Sequence, residues 1–325
     1  SMALPYLERA RPYFEVLPRL ERPRKIQPPP SWAGSDWLDD LRRRHFLSDL
    51  GVLRLAADDY PGAAAAFIDS DNRFAAAHVL QNLLSREELV TFVGTHFPGP
   101  TPAGDRRNVF LGEPRRWVRR LAGARLAAQG ALDDAEEFLG PEDQRCLALY
   151  RKALDLARDE TKPRPLRAES MWRAAQMRRA FPNLFAVVEV PVTRLPADLW
   201  PSHWRLDAPW PACLGAPDRS LPSAFLVPTA EEFRRLRAFG PLPNYVGFPR
   251  YDAAEMAREA SRIAGRNNPA GARYLWGAGS WIKNTNPVHA NRFYVDLVRH
   301  FPDTDLGRKA KAQKWFPHMP WPTHP

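Results

Sequence analysis

Residues 274–302 read YLWGAGSWIKNTNPVHANRFYVDLVRHFP, and this stretch decides the fold. Tyr274, Ala278, Trp281, Ala290, Tyr294 and Leu297 recur at the spacing of two helices joined in a hairpin. A bulky residue opens the first helix. The small residue four places later lets the second helix come close, and an aromatic follows on the same face. Ala290 falls where the two helices cross, and Tyr294 and Leu297 continue that face. Asn286-Pro287 supplies an N-cap followed by a first-turn proline. Pro302 ends the unit, because proline cannot continue a helix from its interior.

The order bulky, small, aromatic, alanine, aromatic, proline resembles the tetratricopeptide repeat, a helical hairpin of ~34 residues. Ala278 stands where that family has glycine or alanine. Leu297 stands where alanine is usual, which implies looser packing of the following helix. Phe301-Pro302-Asp303-Thr304-Asp305-Leu306 resembles the turn between repeats in bacterial envelope proteins of this class. Lys314-Trp315-Phe316-Pro317 resembles the ending of uncharacterised bacterial repeat proteins. The whole segment from about Ala253 to Phe316 shares this character. Two partial echoes keep the internal spacing: Leu47, Gly51, Ala63 and Phe67, then Gly123, Leu126, Ala135 and Leu139. One such hairpin cannot bury its apolar face alone, so neighbours must stack; a generic helical bundle is the competing arrangement.

The resemblance implies an all-α, tetratricopeptide-like α-α superhelix. It also implies a non-catalytic scaffold that presents a concave groove to a protein or peptide, in a bacterial cell-envelope complex. Trp276, Trp281, Lys283, Asn284 and Asn291 are candidates for that groove or its rim. Their competing role is core packing or capping, and for Trp281 the competing role is the stronger.

The chain has 34 prolines, concentrated in three places. They outline an extended arm at 1–36, a helical repeat region at 37–182, an irregular insertion at 183–250, hairpins at 251–316 and a tail at 317–325. Pro28-Pro29-Pro30 favours polyproline II geometry in the arm. In the helical region Asp59-Tyr60-Pro61-Gly62 reads as a break, with a small-residue helix restarting at Ala63. Ser85 with Glu88, and Thr229 with Glu232, carry the capping-box spacing that starts a helix. The insertion opens on the β-prone run 185–190, so short strands are expected within it. Trp200, Trp204 and Trp210 follow, as anchoring aromatics and further candidates for partner binding.

The 325 residues carry a net charge of +10 and are 44% hydrophobic, which fits a folded chain able to bury a sizeable core. No apolar run approaches the ~18–20 residues needed to span a bilayer. Ser1-Met2 reads as a remnant of a cleaved tag. The expected compartment is therefore the periplasm or envelope if a leader has been removed, and otherwise the cytoplasm. Arg106, Arg107, Arg115, Arg116, Arg119 and Arg120 form the densest basic cluster, expected as a solvated helix face with its preceding loop. Basic charge and eleven tryptophans could serve nucleic acid through phosphate contacts and stacking, yet no RNA-recognition signature is present. Cys146 and Cys213 are too few for a disulfide framework or a cysteine-based zinc site. Cys146 is expected as a small buried residue.

Chemistry leaves few traces. No phosphate-binding glycine loop, Gly-x-Ser-x-Gly elbow or His-Glu-x-x-His pair occurs. The eight histidines match no standard ligand spacing, so no metal or cofactor is expected. Glu169-Ser170 resembles the catalytic pair of lytic transglycosylases, in which glutamate is the general acid, but the Gly-Leu-Met-Gln stretch of that family is absent. A glutamate in the first turn of a helix is the plainer reading. The alternative to a scaffold is an enzyme whose site the insertion assembles against the helices, from Glu169, Glu189, Asp207 or His203.

Overall fold

The computed structural model describes residues 37–102, 113–185, 229–239 and 248–317. Every regular element among them is helical, which agrees with the expected all-α class. In chain order the helices are α1 (Trp37–Ala56), α2 (Tyr60–Asp69) and α3 (Arg73–His78), which runs directly into a π turn (Val79–Leu83). There follow α4 (Arg86–His96), α5 (Pro114–Ala128), α6 (Leu132–Phe138), α7 (Pro141–Arg158), α8 (Arg164–Ala180) and α9 (Pro182–Phe185). The last are α10 (Ala230–Phe239), α11 (Phe248–Ala264), α12 (Pro269–Ile282), α13 (Pro287–His300) and α14 (Asp305–Gln313). Phe185, the first residue of the β-prone run, is helical; residues 186–190 lie outside the described set, as do the arm 1–36 and most of the insertion. The described residues fall into two compact units that divide after Ala122, within α5.

In the first unit α1 and α2 form a hairpin. The expected break at Asp59–Gly62 is instead the first turn of α2, where Asp59 caps the Gly62 amide at 3.0 Å. Proline is accepted there because the first turn leaves its amide without an intrahelical acceptor. Leu50, Leu53, Ala63 and Phe67 are fully buried between the two helices. Gly51 lets them meet: a Cβ there would come within 2.5 Å of the Phe67 ring.

The π turn answers a packing demand. Its wide bond, from the Leu84 amide to the Val79 carbonyl at 3.1 Å, brings Val79, Leu80, Leu83 and Leu84 all into the core. Ser85 then starts α4 with both halves of its capping box made. Helix α10, begun by the Thr229–Glu232 box, docks on the same turn through Arg235. Arg235 donates to Glu88 at 2.5 Å and to the Leu83 carbonyl at 3.0 Å, and lies 4.4 Å from the Tyr60 ring centroid. One guanidinium therefore ties α10 to α2, α4 and the turn. Arg119 and Arg120 depart from the solvated face expected for them, being 2% and 5% exposed. Arg119 donates to Thr101 Oγ1 at 3.0 Å and to the Phe97 carbonyl at 2.8 Å. The loop after α4 leaves oxygens without helical donors, and the guanidinium fork supplies them.

His78 gives this unit an acid sensitivity. Burial pushes its imidazole down to about 3, and Asn82 Nδ2 lies 3.0 Å from its Nδ1. The unfolded chain takes up this proton below about pH 6.5, whereas the folded chain refuses it. Stability is thus full above pH 6.5 and falls as pH drops towards 3, by up to about 1.4 kcal/mol per pH unit. Urea midpoints should decline between pH 7 and pH 5, above the range where carboxylates titrate. In His78→Gln that decline should flatten; an unchanged slope would locate the sensitivity elsewhere.

In the second unit the helices pack in series. Helix α7 lies against α8, α8 against α11, α11 against α12, α12 against α13, and α13 against α14. Asn286 caps α13 as expected, accepting from the His289 amide at 2.9 Å. Gly123 plays the part of Gly51 here: a Cβ would come within 2.7 Å of Leu139 and 3.1 Å of the Ala135 carbonyl. Arg178 joins three elements, donating to the Ala128 carbonyl at 2.9 Å and to Asp252 at 2.5 Å, and lying 5.4 Å from the Phe185 ring. Burial works against its charge, but Tyr150 and Asp252 outweigh this and raise its pKa. Beyond α14, Trp315, Phe316 and Pro317 fold back. Trp276 Nε1 donates to the Pro317 carbonyl at 2.9 Å, and Trp315 packs on Tyr294. Cys146, expected to be buried, is partly exposed on α7; Cys213 lies outside the described residues.

Candidate functional site

The second unit holds a ladder of π systems. Helix α8 places Trp172 one turn after Ala168, on the face that packs against the rest of the unit. Helix α12 places Tyr274 and Trp281 two turns apart, with Gly277 between them. Gly277 makes the slot: a Cβ there would meet the Trp172 ring at 2.5 Å. Trp172 accordingly stacks on Tyr274 at 5.0 Å and 22°, and on Trp281 at 5.1 Å and 10°. Each end of this run carries a guanidinium. Arg273 lies 5.7 Å from the Tyr274 centroid and Arg179 lies 5.2 Å from that of Trp281.

The two ends differ in charge. At one, Tyr274 donates to Glu169 at 2.6 Å and Arg273 lies 3.7 Å from the same carboxylate. Burial and that acceptor together push the phenol's pKa upward. At the other, Arg179 shares its surroundings with a second cation. Burial and the neighbouring Arg250 both lower the Arg179 pKa. Among the described residues, Trp281 Nε1 and Ser280 Oγ are buried with no hydrogen-bond partner.

The candidates read from sequence scatter across several environments. Trp281 is 6% exposed and belongs to the ladder. Trp276 is core, tethered to Pro317. Lys283 is the C-cap of α12, its amide bonded to the Gly279 carbonyl at 2.9 Å, and exposed Asn284 follows it in the turn. Asn291 is exposed on α13, on the helix surface that also carries exposed Val288 and Val295. The structure therefore brings Trp281, Lys283 and Asn284 to one end of α12 and sets Trp276 and Asn291 apart from them. Trp200, Trp204, Trp210, His203, Glu189 and Asp207 lie outside the described residues. Trp172, Arg179, Arg250 and Arg273 were not singled out from the sequence. Gly277, a glycine inside a strongly apolar helix, was the one available signal of a close approach.

Glu169 is poorly placed for general-acid chemistry. Such a glutamate needs a closed groove, whereas this side chain is 52% exposed and already engaged by Tyr274 and Arg273. Ser170 is buried, so the Glu-Ser pair diverges. A shallow depression on α7, lined by Arg151, Lys152, Asp155 and Asp159, is no better. Its Arg151 is bound to Asp133 at 3.0 Å and to Glu136 at 3.2 Å. Among the described residues no group of three His, Cys, Asp or Glu is arranged to hold a metal ion, and no helix is long and apolar enough to cross a membrane. Comparison with known proteins gives no match to a family model, a curated protein or a solved structure.

Proposed function

We propose that this chain is a non-catalytic helical-repeat scaffold, built from tetratricopeptide-like hairpins, that binds a protein or peptide partner. The observation that carries the proposal is a recurring contact. At both partial echoes a glycine on the first helix meets the bulky residue closing the pattern: Gly51 against Phe67, and Gly123 against Leu139. Stacked hairpins need this small-against-large meeting to approach closely. The serial packing from α7 to α14 supports the same reading, because each hairpin leans on its neighbours. Nucleic acid is disfavoured at the ladder, whose rings are stacked on one another and leave no open face for a base.

The test is photo-crosslinking in intact cells, with p-benzoylphenylalanine placed singly at Asn291, Asn284 or Arg145. Discrete adducts are expected from Asn291 or Asn284, and none from Arg145 on the exposed side of α7. Absence of adducts at all three positions in folded protein would remove the proposal. So would an equal pattern from Arg145, since contact would then be indiscriminate.

A further inference from the structure

Trp315, Phe316 and Pro317 sit on α12 and α13 as a bound peptide would, held by a slot, a ring edge and a donor. The Phe316 ring enters a slot on α12 that exists because residue 279 is glycine; a Cβ there would collide with the ring. Tyr294 of α13 meets Phe316 edge-on at 6.0 Å and 74°, and meets Trp315 at 5.5 Å. Trp276, one turn before Gly279, donates its indole N–H to the Pro317 carbonyl at 2.9 Å. Side chains do the holding: among the described residues, 315–317 make no backbone–backbone hydrogen bond. The turn that brings the segment back is at Lys314, in the left-handed region with φ 53°, which residues other than glycine rarely adopt. Such a conformation persists where surrounding contacts hold it.

These contacts specify a chemistry. The Gly279 slot takes a flat ring, and the Trp276 N–H takes a backbone carbonyl. The residue that brings this carbonyl is proline, which has no N–H of its own to satisfy when buried. Pro317 is buried and Phe316 is 4% exposed. Aromatic-lined grooves are a recurring means of recognising proline-containing segments. Asn291, one turn before Tyr294 on α13, is exposed, which puts a candidate of the scaffold reading next to the groove.

Resting on the scaffold function proposed above, we infer that the α12–α13 groove is the partner-binding site and that Trp315–Pro317 is a competitor built into the chain. The occupant in trans is a partner segment with an aromatic residue followed directly by proline. It takes the Gly279 slot and the Trp276 indole when the chain's own segment lifts away, and Lys314 then leaves the left-handed region. The seated segment closes the site to weak or dilute partners, because each must compete with a tethered segment at high effective concentration.

The test uses the full chain and a fluorescein-labelled peptide with the sequence of residues 313–318, Gln-Lys-Trp-Phe-Pro-His, with binding read by anisotropy. Phe316→Ala vacates the slot and should bind the peptide at least tenfold more tightly than the parent. Gly279→Ala combined with Phe316→Ala puts a methyl group into the vacated slot and should reverse that gain. In ¹⁵N-labelled Phe316→Ala the Trp276 indole resonance, assigned by its loss in Trp276→Phe, should move towards its position in the parent as peptide is added. No gain in Phe316→Ala overturns the inference, as does an unmoved indole resonance or binding that survives in the double variant. A measurement on the parent does not depend on how the variants fold. There the Trp276 indole N–H should be protected from hydrogen exchange at least tenfold less than the core amides of α12. Equal protection would mean that the segment leaves only when the unit unfolds, and also overturns the inference. Concentration-dependent dimers of the parent that the peptide cannot dissociate assign the groove to the segment of a second copy, with the same effect. Crosslinks from Asn291 or Asn284 remain an independent measure. If they form while the peptide fails, the scaffold stands and only this groove falls.

Discussion

Trp172→Ala should destabilise the second unit by about 3–5 kcal/mol, the range for removing a large aromatic from a core. Trp172 is the rung that joins α8 to α12. Its loss empties the slot above Gly277 and ends two ring stackings at once, each worth about 0.5–1.5 kcal/mol beyond burial. Trp172→Phe keeps a ring in the slot and should recover much of the difference. Hydrogen exchange locates the effect. Amides of α8, α11 and α12 should lose protection in Trp172→Ala, while those of α1 and α2 keep theirs. A loss below 1 kcal/mol would mean that the ladder is a surface ornament rather than a structural member. The substitution also frees Trp281 to turn, so the Arg179 guanidinium loses its platform.

Arg178→Met is the second large effect. Removing one partner of a buried ion pair typically costs about 3–5 kcal/mol, because the other charge is left without compensation. Asp252 is a third exposed, so water partly replaces the lost partner and about 3 kcal/mol is expected. The Ala128 carbonyl loses its guanidinium donor in the same step. Arg178→Met combined with Asp252→Asn should be more stable than Arg178→Met alone, since the stranded charge is gone. Urea denaturation of Arg178→Met, Asp252→Asn, the double variant and the parent completes the cycle. Strict additivity would show that the 2.5 Å contact carries no coupling.

Local features were legible in the sequence because a few neighbouring residues determine them. The capping boxes at Ser85–Glu88 and Thr229–Glu232 and the cap at Asn286 all form where their spacing places them. The start of α2 was misjudged because Pro61-Gly62 reads as a breaker, although a first turn accepts both. What depends on distant partners could not be read. Arg119 belongs to a run of charges in the sequence, and only the return of the loop at Phe97–Thr101 makes it a buried donor. Trp172 and Tyr274 lie about a hundred positions apart, so nothing near either one announces the stack. For Trp281 the sequence favoured core packing over the groove, and the residue is buried in the ladder, but its neighbours could not be read. The cations around it come from α8 and α11, which periodicity alone does not bring together.

The backward fold of Trp315, Phe316 and Pro317 decides how the apolar faces of α12 and α13 meet water. A row of helices that pack in series ends in an apolar face, just as a sheet ends in an unpaired strand. Here the chain covers the α12–α13 side with its own aromatics, and the Trp276 indole bonded to Pro317 holds that cover in register. The segment thus keeps rings of α12 and α13 from water that the helices alone would leave uncovered.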